Sequence, residues 1–203
     1  MKARGSNGTP GVDYVTFYSS DFVAEGRYAG EWAYKACTDK GLDTIKVAEI
    51  QGILGGTDVR DRSDGFHAVA EEKGNFDFVV QQTANFSRTE AQEVAANVLQ
   101  STGGDIDVFY CHNDEMAMGA YLALQAAGEA GKIMIFSCDG QNDVIDEIVN
   151  GNITQTAVYS TCAPDAMILA KKIVEGESYD KLVVPESVVI NADNAAEMVG
   201  TGY

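Results

Sequence analysis

The amino-acid sequence predicts an α/β fold built on a doubly wound parallel sheet. Three observations point to it. From Asp13 onward, short β-branched and aromatic runs alternate with longer helix-like stretches, the pattern that builds βαβ units. Helix-like stretches stop at Gly41, Gly74, Gly128 and Gly176, and glycine suits the left-handed conformation that ends a helix. Several strand-like runs are almost continuously apolar, as expected when helices cover both faces of a sheet.

The elements follow in order. A strand is expected over residues 14–20 (YVTFYSS) and a helix over 22–40, stopped by Gly41. A strand over 44–51 (TIKVAEIQ) leads to a helix over 57–73, ended by Gly74, and then to a strand over 76–82 (FDFVVQQ). The helix over 87–100 opens on SRTE, which matches a capping box. Next come a strand over 107–112 (DVFYCH), a helix over 114–127 stopped by Gly128, and a strand over 132–138 (KIMIFSC). A short helix over 143–149 ends at Asn150 and Gly151. A strand over 154–160, a helix over 164–175, a last strand over 182–190 interrupted by Pro185, and a terminal helix over 193–199 complete the pattern.

Composition narrows the function classes. The 203 residues, 45% of them apolar, suffice for one large α/β domain or one domain with part of another. No apolar run approaches the ~18 residues that suggest a membrane span. The net charge of -17 repels phosphate backbones and anionic lipid, which argues against nucleic acid as a partner. Acidity alone reads as a well-solvated surface. The cysteines Cys37, Cys111, Cys138 and Cys162 form no CxxC pair, and His67 and His112 stand far apart, so no metal site is expected. Cys111 and Cys138 fall in apolar strand-like runs, where free cysteine behaves as a small buried hydrophobe. Residues 1–11 (MKARGSNGTPG) lack the apolar core of a signal peptide and read as a flexible leader. An export signal would lie upstream of them.

In open α/β sheets, ligands bind beyond the carboxyl ends of the strands. That rule selects residues 20–21, 55–58, 83–87, 113–115, 139–142 and 159–164. The candidates there are Asp58 with Arg62, Phe86, Asn113 and Asp139. Carboxylate, amide and guanidinium groups match vicinal hydroxyls, each of which both donates and accepts. An aromatic ring suits the C–H face of a sugar. Each candidate also has a plainer role. Asp58 and Arg62, four apart on a helix, would make a surface ion pair, as would Arg60 with Asp61. Asp114 reads as a helix N-cap, which leaves Asn113 as the better ligand candidate. Asp139-Gly140 fits a turn, and Phe86 fits ordinary core packing.

Enzyme motifs are missing. There is no GxSxG, GxxxxGKS/T or HExxH, and Gly52 to Gly56 (GILGG) lacks the GxGxxG pattern. Asp58 and Asp139 could hydrolyse a glycoside only with one carboxyl in an apolar setting, which nothing in the sequence supplies. The chain is therefore expected to be no enzyme and to need no cofactor.

The chain resembles the type I periplasmic binding proteins of the ribose, galactose and galactofuranose group. The likeness rests on residues 49–66 (EIQGILGGTDVRDRSDGF), 84–88 (ANFSR), 110–119 (YCHNDEMAMG), 124–128 (LQAAG) and 137–140 (SCDG). Residues 19–25 (SSDFVAE) and the closing Gly202-Tyr203 look most like the galactofuranose-binding branch. The likeness covers about residues 12–203 and implies a flavodoxin-like lobe. It implies that Arg62 grips the sugar, that Phe86 stacks on it, and that Asn113 and Asp139 bind hydroxyls. Asp58 would match an aspartate of hexose binders that ribose binders lack. Tyr159 and Ser160 fall near a polar hinge position.

The resemblance also implies an organisation. Residues 12–159 would be the C-terminal sugar-binding lobe, and 160–203 a hinge crossing with a remnant of an N-terminal lobe whose opening βα units are missing. The protein would be the solute-binding component of a carbohydrate ABC importer, periplasmic or otherwise extracytoplasmic. It would bind a monosaccharide such as galactose, galactofuranose or a related hexose or pentose, and would work with the importer's permease. An orphaned helix in the remnant is expected to expose an apolar face and support a homodimer. Two alternatives share the fold. One is the effector domain of a lac-type regulator, whose DNA-binding headpiece residues 1–11 are too short to form. The other is a sugar-sensing module of a membrane receptor.

Overall fold

The computed structural model describes residues 8, 9 and 11–203, so the leader expected over 1–11 lies largely outside the described residues. The chain runs β1 (Phe17–Tyr18), α1 (Phe22–Asp39), β2 (Ile45–Gln51), α2 (Thr57–Lys73), β3 (Phe76–Thr83), α3 (Arg88–Thr102), β4 (Val108–Cys111) and α4 (Asp114–Ala127). It continues through β5 (Met134–Asp139), α5 (Asn142–Val149), β6 (Gln155–Val158), α6 (Ala163–Val174), β7 (Leu182–Val183), β8 (Val189–Asn191) and α7 (Ala195–Met198). Helices α2 and α4 have the bounds expected of them, and Gly74 and Gly128 end them at φ 75° and 73°. At α3 half of the capping box forms: Ser87 Oγ accepts from Glu90 N at 3.3 Å, while the Glu90 carboxylate accepts from the Asn85 amide at 2.7 Å.

Six strands form one sheet in the order β3-β2-β4-β5-β6-β8. The first five are parallel, and β8 runs antiparallel to β6. The sheet is parallel as expected, with this one antiparallel strand added at its edge. Pro185 cannot donate to a ladder, and the single strand expected over 182–190 breaks there. Its first part, β7, pairs with β1 in a separate two-stranded sheet, and its second part turns back along β6.

Alternate residues of the central strands feed two cores. Val47, Val108, Tyr110 and Phe136 pack with Ala29, Ala33 and Phe66 of α1 and α2. Ala48, Ile50, Phe109 and Ile135 pack with residues of α3, α4 and α5 on the opposite face. Burial on both faces explains the continuous apolar runs. Cys37, Cys111 and Cys138 are buried free thiols. No helix among the described residues is long and apolar enough to cross a membrane.

Two features of this frame position a site. First, β3 and β4 flank β2 on opposite sides, so the carboxyl ends of β2 and β4 form the topological switch point at which doubly wound sheets bind ligands. Second, α1 and α2 meet backbone to backbone. A Cβ on Gly26 would overlap the Arg62 carbonyl, and one on Gly65 would overlap the Val23 carbonyl. Helix α6 lies apart from both cores: none of its residues is buried, and Met167, Ile168 and Val174 are exposed.

Candidate ligand-binding site

The residues singled out from the sequence converge. Asp58, Arg62, Phe86, Asn113 and Asp139 line one open cleft of about 220 Å³, joined by Phe22 and Tyr159. Asp58 and Arg62 stand on α2 after β2, Phe86 in the loop after β3, and Asn113 just after β4. Asp139 ends β5, and Tyr159 follows β6. Every parallel strand of the sheet therefore sends a side chain to the cleft.

Arg62 organises the floor. Its Nε donates to Glu25 Oε2 at 2.8 Å, its Nη1 to the His112 carbonyl at 2.5 Å, and its Nη2 to Asp139 Oδ1 at 3.2 Å. Phe22 and Tyr159 stack on each other, with ring centres 5.9 Å apart, and the guanidinium lies 5.4 and 5.8 Å from those centres. Of the five N–H donors on a guanidinium, three are occupied in this way, and the other two are free to serve a ligand. The surface pair considered for Asp58 and Arg62 is not what the structure shows. Arg62 is 3% exposed and turns inward to Glu25 and Asp139, whereas Arg60 pairs with Asp61 at 2.7 Å. Asp58 stays half-buried at the cleft.

At the start of α4 the cap falls on Asn113, one residue before the position expected for it. Asn113 is the N-cap, its Oδ1 accepting from Met116 N at 3.0 Å. With Oδ1 engaged in the cap, the amide N–H groups are what Asn113 offers to a ligand. Asp114 does not cap. It is wholly buried and accepts from Ser137 Oγ (2.5 Å), Thr156 Oγ1 (2.7 Å), Gly140 N (2.8 Å) and Gln141 N (2.7 Å). These bonds fasten the turn after β5, where Asp139 and Gly140 have φ of 135° and 85°. A non-glycine residue in that region is strained, and Asp114 holds it there. Burial, with Asp139 nearby, pushes the Asp114 carboxyl up to about 7. Burial also lifts Asp139 to about 6, against the pull of Arg62.

Phe86 stands between the core and the cleft. It packs on the core beneath α3 and α4 and lines the cleft as well. Asn85 and Phe86 both adopt left-handed backbone, at φ 52° and 61°. The ring lies directly over Gly52, where any Cβ would overlap it. The glycine in GILGG therefore makes room for an aromatic wall, not for a phosphate.

Two supporting carboxylates, Glu25 and Glu49, escaped sequence reading. Glu25 is fully buried behind Arg62. Glu49, fully buried on β2, accepts from Ser63 Oγ (2.8 Å) and Gln81 Nε2 (2.6 Å) and pairs with His67 and His112, both at 2.8 Å. Burial alone would raise the Glu49 carboxyl, but the hydrogen bonds from His112 and His67 outweigh it and hold the group well below the usual carboxylate range. Burial lowers His112 against the pull of Glu49; its Nε2 lies 2.8 Å from Glu49 Oε1, and its carbonyl receives Arg62. The one available signal was placement: Glu25 and Glu49 both fall within stretches that carried the resemblance. Among the described residues, no group of three or more His, Cys, Asp or Glu side chains could hold a metal ion.

Comparison with known proteins bears on this site. Residues 4–178 match the model of the periplasmic binding protein domain. The ribose import binding protein of Haemophilus influenzae is 31% identical over 179 residues, which cover 87% of this chain and 59% of that protein. The galactofuranose-binding protein of Escherichia coli is 30% identical over 192 residues, covering 91% of this chain and 59% of that protein. A Mycobacterium smegmatis protein solved in complex with β-D-fucofuranose superposes with a TM-score of 0.85 at 30% identity, covering 95% of this chain and 64% of that one. The chain thus spans a little over half the length of the curated relatives it matches.

Proposed function

Because the chain belongs to the periplasmic binding protein domain family, we propose that it binds a monosaccharide non-covalently, as the solute-binding component of a carbohydrate ABC importer outside the cytoplasm. The observation that carries this reading is the convergence of Asp58, Arg62, Phe86, Asn113 and Asp139 on one cleft at the switch point of the sheet. The two free N–H groups of Arg62 and the Asn113 amide donate to sugar oxygens, Asp58 and Asp139 accept from hydroxyls, and Phe86 covers the C–H face. Asp58 favours a hexose such as galactose, in pyranose or furanose form. The cleft reads as a binding site and not a catalytic one. Asp139 is paired with Arg62 through Oδ1, and the named relatives are binding proteins.

Residues 12–159 supply the wall that contacts sugar, and 160–203 form a hinge crossing and the start of an opposing lobe. Strong retention of sugar requires that opposing wall, because closure excludes water and adds contacts. The permease of the importer is the membrane partner. Where α6 leaves Met167, Ile168 and Val174 exposed, a second copy of the chain covers the apolar face. Light scattering behind size exclusion tests this last point, and a monomer at every concentration rejects the dimer.

A thermal-shift panel of pentoses and hexoses tests the binding reading. At a hundred times Kd, a ligand stabilises the native state by about 2.7 kcal/mol. The expected result is stabilisation by one or a few sugars that Arg62→Ala abolishes. If no monosaccharide stabilises either this chain or a version extended to the full length of its relatives, the proposal is wrong.

A further inference from the structure

We propose that Glu25 is a positioning residue for the sugar site: by accepting the Nε–H of Arg62 it fixes the plane of the guanidinium before any ligand arrives. This rests on the sugar-site reading above and extends it to a residue that does not line the cleft.

The geometry begins with two glycines. Gly26 and Gly65 let α1 and α2 meet backbone to backbone, and Glu25, the neighbour of Gly26, is thereby driven against Arg62. Its carboxylate is fully buried and uses only Oε2, at 2.8 Å from Arg62 Nε; Oε1 has no hydrogen-bond partner. Pairs elsewhere in the protein behave differently. Arg27 and Glu72 engage through two parallel bonds of 2.9 and 3.0 Å, as do Arg88 and Glu115 at 2.9 and 2.8 Å. That fork-to-fork form is the one that gives most strength to an arginine–carboxylate pair. Glu25 forgoes it because both Nη atoms of Arg62 are directed to the His112 carbonyl and Asp139. A single bond at Nε adds little as an ion pair, but it restrains the rotation about Cδ–Nε, the last of those that decide where the Nη groups point. Buried ion pairs are in any case weak devices for stability.

The charges around Glu25 support a readout. Facing it are Arg62 of α2, Asp21 at the start of α1, Cys138 and Asp139 of β5, Tyr110 of β4 and Tyr159 after β6. One guanidinium thus serves two buried carboxylates, Glu25 and Asp139. Burial pushes Glu25 up to about 7, against the pull of Arg62. Its charge therefore changes across neutral pH, and the environment of Arg62 Nε should change with it.

Side-chain nitrogen–proton NMR of the full chain, without ligand, tests this through the Arg62 Nε–H signal. The expected signal is protected from solvent exchange and shifts with a midpoint near pH 7. In Glu25→Gln, which retains an acceptor, it stays protected but no longer titrates; in Glu25→Ala it exchanges rapidly. A protected signal in folded Glu25→Ala overturns the proposal, as does a titration that persists unchanged in Glu25→Gln. The second variant keeps the test valid if the first does not fold. Sugar affinity, measured on the monosaccharide panel above, should fall about 10- to 100-fold in Glu25→Ala, the range for losing a hydrogen bond to a charged group, and less than about threefold in Glu25→Gln. Equal affinity of wild type and Glu25→Ala rejects the positioning role and leaves the sugar reading intact. The expected NMR behaviour without binding of any sugar rejects the sugar reading, and with it a role in sugar binding, while leaving Glu25 as the group that orients Arg62.

Discussion

Replacing Asp114 with alanine removes an acceptor from four donors at once, and the consequence can be worked out donor by donor. Ser137 Oγ already lies 3.4 Å from the Gln155 carbonyl and can turn to it. Thr156 Oγ1 lies 3.3 Å from Gly140 N and takes over part of that bond. Gln141 N is only partly buried and can meet water. What remains is roughly one buried donor without a partner, costing about 1–3 kcal/mol, together with the loosening of a turn held at positive φ, worth about another 1 kcal/mol. The expected loss is therefore about 2–4 kcal/mol, or roughly 5–15 °C in Tm for a chain of this size. Its pH dependence has a definite sign. The Asp114 carboxyl is pushed up to about 7 from an ordinary value of 3.8. The wild-type contribution is thus full below pH ~4 and is lost as pH rises through 7. The substitution should cost more at pH 5 than at pH 8. Urea denaturation of both proteins at the two pH values, with unchanged m, measures this. A loss under about 0.5 kcal/mol, the range of an ordinary surface substitution, or a greater loss at pH 8 would refute the reasoning.

Other outcomes follow from the same geometry. Gly52→Ala places a methyl group where the Phe86 ring lies; sugar affinity should drop about tenfold or more as the ring is displaced, and unchanged affinity by calorimetry would remove Phe86 from the site. Gly26→Ala forces apart the α1–α2 contact at the Arg62 carbonyl, with an expected loss of about 1–3 kcal/mol for overpacking, read from the urea midpoint. Arg62→Lys keeps the charge but loses the planar fork that reaches Glu25, His112 and Asp139 together; binding should be lost while the far-UV spectrum is retained. Across pH, the stability carried by Glu25, Asp114 and Asp139, raised to about 7, 7 and 6, is full below their ordinary values and lost as pH rises through these. The contribution of Glu49, whose pKa is lowered, is present above about pH 4.5 and lost on acidification. Tm should therefore peak in mildly acidic buffer, and a steady rise from pH 5 to pH 8 would contradict the assignment.

Much of the fold was legible because its signals are local. The helix over 57–73 and its stop at Gly74 follow from periodicity and one left-handed glycine, and the strand ends follow from where apolar runs stop. The convergence of Asp58, Phe86, Asn113 and Asp139 was legible too, because the carboxyl ends of parallel strands lie on one edge of a sheet. That Asn113 and not Asp114 caps α4 was not. Either side chain caps a helix equally well in isolation, and only the packing of β5 and β6 beside α4 buries Asp114 among donors. Pro185 showed that a strand would be interrupted, but not that its two halves would join different sheets.

By itself, then, the sequence determined the alternation of elements, their glycine stops, and a row of polar and aromatic residues at strand ends. Only the tertiary structure decided which charges meet. Glu25 reaches Arg62 across 37 residues, and Arg62 reaches Asp139 across 77. Such meetings depend on how closely two helices approach and how the sheet is ordered. The burial that then shifts the carboxyl groups toward neutrality arises from atoms brought in by the whole fold, and no local pattern of residues encodes it.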